Sequence, residues 1–449
     1  PEEWRSAILV PLFKGKGDKK ECKNYRGISL LSTPGKVYGR VLIERVSEIT
    51  EVQIRDEQGG FRKGRGCVDQ VFALKCVCEK YLERQKEVFV AFMDLEKAYD
   101  RVDMMAMGRC WDCMELEVRS LVRLKLCTKR ARCVRIGHKL GRKFKVDVGL
   151  RQGCVMSPWL FNIFIDGVVR EVNARVLERG AVLKSDGGGE WQVNQILYAD
   201  DTALVVDEEC KLQRLVREFG RVCERRKLSV NVAKSKVMRV TRNENAGDIE
   251  ITLNGIRMEE VDCFRYLGVD IDRDGGMKSK MKHRVTEGEK VSGVLKKMWK
   301  GEGMSGDAKR SMYEGIVVPT LFYGSEVWAA SAEDRRRMGV VEMKCMRVMC
   351  GVIIRDRIRN EELRRCGSEL SIGERMDRNV LRWYGHAERM EEEIVVKRVY
   401  MANVEGSRKR ARPKLRWMNG VKAAVERRSK YRVCVNVRAG SRNMEGSIF

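Results

Sequence analysis

The sequence predicts an α+β fold on three observations. Short Val-, Ile- and Phe-rich runs bounded by basic loops occupy roughly the first 275 positions, the pattern of strands joined by exposed turns. Within them, "WQVNQILYADDTALVV" sets two apolar runs on either side of Ala199-Asp200-Asp201-Thr202, as in a tight hairpin with acids at its tip. Beyond about residue 276 the strand signals fade, and Met, Leu and Val recur at helical spacing among charged residues, as in "VVEMKCMRVMCGVI".

Taken in order, the segment from Trp4 to about Phe72 alternates apolar runs with the basic loops "FKGKGDKK" and "GGFRKGRG", which predicts a basic, mixed α/β lobe. Residues 72–85 read as a helix, and 88–94, "VFVAFMD", as a strand ending in an acid. Ser157-Pro158 has the composition of a helix start. A helix over 211–227 is followed by strands at 228–241, 249–254 and 263–271. From Ser407 onward thirteen basic residues face two acidic ones, so the tail carries a disproportionate share of the charge.

The 449 residues suffice for two or three domains, and 90 Lys and Arg against 64 Asp and Glu leave +26, a balance suited to a polyanionic partner such as nucleic acid. No run of 18 apolar residues is present to span a bilayer, so no membrane partner is expected. Sixteen scattered cysteines without a secretory h-region point to a reducing compartment. Only three histidines exist, which sets aside a histidine-based triad or a histidine-rich zinc centre. Cys110-Trp111-Asp112-Cys113 with Cys127 and Cys133 has one pair spaced by five, which favours packed thiols over a four-thiolate zinc site. The chain starts with Pro, and a fragment of a longer protein is expected.

The carboxylates carry the chemistry. A turn lets Asp200 and Asp201 share a cleft that an extended strand would deny them. If the strand ending at Asp94 pairs with that hairpin, three acids converge and repel one another unless a divalent cation lies among them. Oxygen ligands suit Mg²⁺, and two ions about 3.5–4 Å apart stabilise both attacking and leaving oxygens of an in-line phosphoryl displacement. The competing reading makes Asp200-Asp201 ordinary turn residues and Asp94 a helix cap.

The segments "AFMDLEKAYDRV" (91–102), "GLRQGCVMSPWLFNIFID" (149–166) and "YADD" (198–201) resemble the palm motifs of reverse transcriptases. "NYRGISLLS" (24–32), "QGGFRKGRGCVDQVFAL" (58–74), "LSVNVAKSKVM" (228–238) and "FRYLGVDI" (264–271) are similar to fingers, later palm and primer-grip segments of non-LTR (LINE-like) retrotransposon enzymes. The resemblance implies a right-hand polymerase, with fingers and palm over 1–275, a helical thumb- or connection-like region over 276–380 and a basic tail over 381–449.

By the same resemblance Asp94, Asp200 and Asp201 match the catalytic acids and ligands of two Mg²⁺ ions, with the Leu95 carbonyl as an additional ligand. Tyr99 matches the aromatic under the incoming sugar, which favours deoxynucleotides; Arg26, Gln152 and Gly153 match nucleotide contacts. Lys234 matches the proton donor to pyrophosphate, with Lys236 a close rival, and Tyr266, Leu267 and Gly268 match the primer grip. Arg62, Lys63 and Arg65, with Arg408, Lys409, Arg410 and Arg412 of the tail, are expected on nucleic-acid phosphates, and Trp417 on a base. A nuclear localisation signal is an equal rival for the tail residues, and His386 in "LRWYGHAERM" reads as a packed histidine.

The implied activity is RNA-directed DNA synthesis from a DNA primer on an RNA template with dNTPs, in the nucleus for target-site priming or else in the cytoplasm. An endonuclease domain, separate or missing, is needed for transposition. A catalytically inactive or co-opted RNA-binding remnant is the alternative; an RNA-dependent RNA polymerase is disfavoured by Tyr99 and "YADD".

Overall fold

The computed structural model describes residues 4, 6–103, 107–108, 131–146, 148–176, 180–185, 189–276, 278–301, 303–367, 370–406 and 416–439. Two compact units divide the chain, one built from Pro1–Gln70, Glu87–Arg239 and Asn243–Val261, the other from Val71–Lys86, Val240–Arg242 and Asp262–Phe449. Val71–Lys86 groups with the C-terminal helices, and the chain from Asp262 onward belongs to that same unit.

In the first unit β1 (Ser6–Phe13) pairs antiparallel with β2 (Tyr25–Leu30). Helix α1 (Thr33–Glu51) follows, started by the Ser32 side chain accepting from Gly35 N and by Pro34 in its first turn. Helix α2 (Cys67–Glu83) passes from Val71 onward into the second unit, and the chain re-enters the first as β3 (Val88–Met93), whose six residues are all buried, in keeping with an unbroken Val/Phe run at the centre of a sheet. The short α3 (Ala98–Arg101) comes next, and β4 (Ala131–Ile136) runs parallel to β1. Helix α4 (Ser157–Arg175) buries most of its length, from Trp159 to Val172.

The second sheet of this unit holds the acids. Strand β5 (Gln195–Tyr198) pairs antiparallel with β6 (Asp201–Val206), and β6 pairs antiparallel with β3. Helix α5 (Glu209–Arg225) packs Leu212, Leu215, Val216, Phe219 and Val222 inward at 3–4 residue spacing. Strands β7 (Lys236–Val240) and β8 (Glu259–Glu260) complete the order β8–β7–β3–β6–β5. One apolar core joins this sheet to α4 and α5 through Ala91, Phe161, Phe164, Leu204 and Phe219.

The C-terminal stretch of the second unit begins with the hairpin β9 (Cys263–Tyr266) and β10 (Val269–Asp272), then turns helical, as the fading strand signals predict. Its longest helices are α6 (Lys278–Trp299), α7 (Ala332–Met349), α8 (Ile372–Glu388) and α9 (Trp417–Ala439). Capping boxes Ser331/Asp334 and Ser371/Glu374 start α7 and α8.

The expectation that Trp417 stacks a base is corrected here. Trp417 is 2% exposed, its indole N–H donates to the Glu326 carbonyl (2.8 Å), and its ring meets Phe72 (4.7 Å), Trp383 (5.4 Å) and Tyr400 (6.1 Å). Its neighbour Arg416 is paired with Glu83. Aromatics scattered over more than 300 positions thus form one internal cluster, and His386 packs edge-on against Trp383 (6.3 Å).

Candidate active site

The register of β3 against β6 decides whether the acids meet. Thr202 pairs with Met93, so the next residue out on each antiparallel strand, Asp201 and Asp94, stand at the same end of the sheet. Asp200 occupies the two-residue turn between Tyr198 and Asp201. The three carboxylates feel one another: burial, then the charges of Asp200 and Asp94, push the Asp201 carboxyl up to about 6. Asp201 reaches solvent on one side while the protein beside it displaces water from the other. Burial and the Asp94 charge also raise Asp200, against a lowering backbone hydrogen bond.

Asp94 is fixed through its backbone. Its N–H donates to the Oγ of the fully buried Ser235 (3.0 Å), and its carbonyl accepts from Asn231 N (2.8 Å). Glu96 N donates to Ser229 O (2.8 Å), so the bridge between Leu95 and Val230 consumes the Asp94 carbonyl and not that of Leu95. The Lys234 ammonium lies 3.6 Å from the Asp94 carboxylate. Lys236 turns instead to Glu259 (2.6 Å), which separates the two lysines that the sequence leaves as rivals.

Tyr99 stacks on Phe161 (4.4 Å between centroids, 14° between planes), and burial followed by the Asp200 charge raises its phenol above the ordinary range. Its carbonyl accepts from Leu150 N (2.6 Å), which ties α3 to the loop carrying Gln152 and Gly153. Gln152 O accepts from Ser29 N (2.7 Å). Gly153 has φ +97°, and a Cβ there would lie 2.8 Å from the Ser29 carbonyl oxygen, so glycine is required for this approach. Arg26 is exposed on β2.

Of Arg62, Lys63 and Arg65, Lys63 is the exposed one. Arg62 is a correction: it is 8% exposed and donates to Glu51 Oε1 (2.6 Å), Arg55 O (2.9 Å) and Gln58 O (3.1 Å), so its guanidinium is used inside the fold. Arg65 is paired with Asp56. Arg408, Lys409, Arg410 and Arg412, like Cys110, Cys113 and Cys127, lie outside the described residues.

Tyr266, Leu267 and Gly268 form a hairpin end in the second unit, with Tyr266 buried and φ of +48° and +76° at the two turn residues. The Tyr323 hydroxyl donates to Leu267 O (2.9 Å) and the Arg284 guanidinium to Gly268 O.

Two residues near the acids escape sequence reasoning. Gln58, 1% exposed, accepts from Ala199 N (2.9 Å) and donates to Ala199 O (3.3 Å). Phe61, at φ +55° and 51% exposed, sets its ring 6.4 Å from Tyr99 and 6.5 Å from Tyr198. Gln58 carries no local periodic signal, and Phe61 reads as part of a basic loop.

Three carboxylates and a carbonyl give an all-oxygen donor set, suited to a hard divalent cation. Among the described residues no group of three or more His, Cys, Asp or Glu is gathered closely enough to hold a metal ion, so the structure shows neighbouring carboxylates and not a closed cage. Among the described residues no helix is long and apolar enough to cross a membrane.

The structure thus gathers paired acids at the ends of antiparallel strands, an aromatic packed beside them and a lysine on one carboxylate. The sequence matches the reverse transcriptase (RNA-dependent DNA polymerase) family over residues 16–271, more than half of its length, and the chain belongs to that family. Its relatives are proteins of non-LTR retrotransposons. It is 24% identical over 379 residues to the "Probable RNA-directed DNA polymerase from transposon BS" of Drosophila melanogaster, covering 78% of this chain and 38% of that protein. It is likewise 24% identical over 369 residues to the "RNA-directed DNA polymerase from mobile element jockey" of the same organism, with the same coverage. It therefore spans well under half the length of these relatives. Among solved structures, apo telomerase from Candida tropicalis aligns with a TM-score of 0.43 at 10% identity, covering 90% of this chain and 69% of that one.

Proposed function

We propose that the chain is an RNA-directed DNA polymerase of a non-LTR retrotransposon, extending a DNA primer on an RNA template with dNTPs. The observation that carries this reading is the β3–β6 register, which sets Asp94 beside Asp201 with Asp200 in the adjoining turn. Asp94, Asp200 and Asp201, with the Leu95 carbonyl, would hold two Mg²⁺ ions, which supply charge stabilisation at the attacking and leaving oxygens. The primer 3′-hydroxyl releases its proton to solvent as its oxygen forms a bond to the α-phosphorus and the bond from that phosphorus to pyrophosphate breaks. Lys234, whose side chain is 69% exposed beside Asp94, gives the proton that pyrophosphate takes. Tyr99, held flat by Phe161, excludes a 2′-hydroxyl. Arg26, Gln152 and Gly153 contact the nucleotide, while Tyr266, Leu267 and Gly268 seat the primer end. Lys63 and the tail residues Arg408, Lys409, Arg410 and Arg412 hold RNA phosphates. A separate endonuclease domain supplies the nick, and the work is done in the nucleus.

Primer extension on an RNA template by the purified chain, with and without Mg²⁺, tests the reading. Wild type is expected to extend with dNTPs over rNTPs, Tyr99→Val to lose that preference, and Asp200→Ala to extend nothing. Equal extension by wild type and Asp200→Ala would overturn it. Metal-independent RNA retention without extension would favour the RNA-binding remnant. Charge removal at Arg408, Lys409, Arg410 and Arg412 is expected to flatten the salt dependence of RNA binding.

A further inference from the structure

We propose that Gln58 is a positioning residue for the Asp200–Asp201 pair: its buried amide holds the hairpin turn in a backbone conformation that Ala199 would not keep unaided. The inference rests on the reading of these acids as cation ligands.

Ala199 is the first of two residues between Tyr198 and Asp201, and it has φ +58°, whereas Asp200 is absent from the positive-φ positions. A positive φ at the first turn residue alone is the type II′ pattern, whose first position is ordinarily glycine. Alanine brings a Cβ and no side-chain hydrogen bond to compensate. The compensation comes from Gln58: Oε1 accepts from Ala199 N (2.9 Å) and Gly60 N (2.7 Å), while Nε2 donates to Ala199 O (3.3 Å). One side chain thus satisfies both backbone groups of the strained residue.

Gln58 is itself held. It bridges Leu197 in parallel, Gly59 N donates to Leu197 O (2.9 Å), Leu197 N donates to Glu57 O (2.9 Å), and Arg62 donates to the Gln58 carbonyl (3.1 Å). Asn162, on the buried face of α4, donates to Gly60 O (2.6 Å). The buried role of Arg62 is thereby explained as support for this segment. Relaxing Ala199 would rotate the following peptide and carry the Asp200 carboxylate away from Asp201 and Asp94.

The test uses the full chain with Gln58→Met, similar in length but without a hydrogen bond, and Gln58→Asn, polar but one methylene shorter, should the first not fold. Hydrogen exchange over the 196–203 peptide, Mn²⁺ binding by electron paramagnetic resonance and the Mg²⁺ dependence of primer extension are read together. Exchange at Ala199 is expected to quicken and Mn²⁺ binding to weaken, each by about tenfold, the scale of one lost buried hydrogen bond. Adding Ala199→Gly to Gln58→Met is expected to restore most of the Mn²⁺ affinity, because glycine accepts positive φ without a prop. Unchanged exchange and Mn²⁺ affinity would overturn the proposal. So would a loss of affinity that Ala199→Gly fails to rescue, which marks a packing role only. If wild type itself extends no primer while exchange and Mn²⁺ affinity respond as stated, the polymerase reading falls and the positioning role stands.

Discussion

The hairpin that carries Asp200 and the hairpin at Leu267-Gly268 both close through two residues, yet they meet the cost of a tight turn differently. At Leu267-Gly268 both residues take positive φ, the type I′ pattern, and glycine fills the second position. Its carbonyls are capped by Tyr323 and Arg284, and the guanidinium lies 4.8 Å from the Tyr323 ring. At Ala199-Asp200 the second position is taken by a carboxylate, and the positive φ falls on alanine. Support then comes from buried Gln58, which bonds both backbone groups of Ala199. Where a turn must present an acid, the strain moves one residue back and the prop moves into the core.

The same substitution at the two hairpins should separate them most. A Cβ at Gly60 would lie 2.4 Å from Ala199 N, a backbone atom with nowhere to move, so Gly60→Ala is expected to cut primer extension by about 100-fold through misplaced acids. At Gly268 the Cβ would meet a Tyr323 ring carbon at 2.9 Å, and a ring can shift. Gly268→Ala is therefore expected to cost about 1 kcal/mol for its positive φ and to raise KM for primer several-fold with kcat kept. Similar losses at both positions would erase the distinction.

Lys280 in the second unit and Asp201 in the first carry opposite charges, and their shifted titrations should show in the pH dependence of stability. Lys280, 4% exposed, is lowered to about 8 by burial and then by Lys75. The folded protein holds that proton less tightly than the unfolded chain does, so stability rises as pH climbs from about 8 toward 10.5. Lys280→Met is expected to stabilise the protein at pH 7 by about 3 kcal/mol and to flatten that rise in denaturation experiments. Asp201 acts oppositely: raised to about 6, it contributes stability below the usual carboxylate range that is lost as pH rises through 6. In metal-free protein the melting temperature should fall across that window, and Asp201→Asn should remove its share. A smaller effect is expected of Tyr323→Phe, which deletes one hydrogen bond to the Leu267-Gly268 hairpin and should cost about 1 kcal/mol.

Local pattern and motif made much of this legible. "VFVAFM" could only be comfortable in a buried strand, and the DD hairpin closes where its flanking apolar runs imply. The pairing of β3 with β6, on which the acids depend, was legible as a condition and not as a fact. Gln58 was not legible, since its role exists only through a contact 141 positions away. Arg62 sits in a run of surface-like charges and differs from Lys63 only by what surrounds it after folding. Trp417 follows a basic stretch that suggests RNA, yet Phe72, Trp383 and Tyr400 enclose it. In each case a tertiary neighbour overrode the reading that the adjacent sequence invites.

The central claim is that Asp94 and Asp201, 107 positions apart in the chain, act as one unit across the β3–β6 pair. Steady-state primer extension by Asp94→Asn, Asp201→Asn and the double variant tests it most directly. Each single change is expected to lower kcat by about 1,000-fold or more and the double change to lower it little further, as for groups that act together. Activity retained by Asp94→Asn, or losses that simply multiply in the double variant, would contradict it.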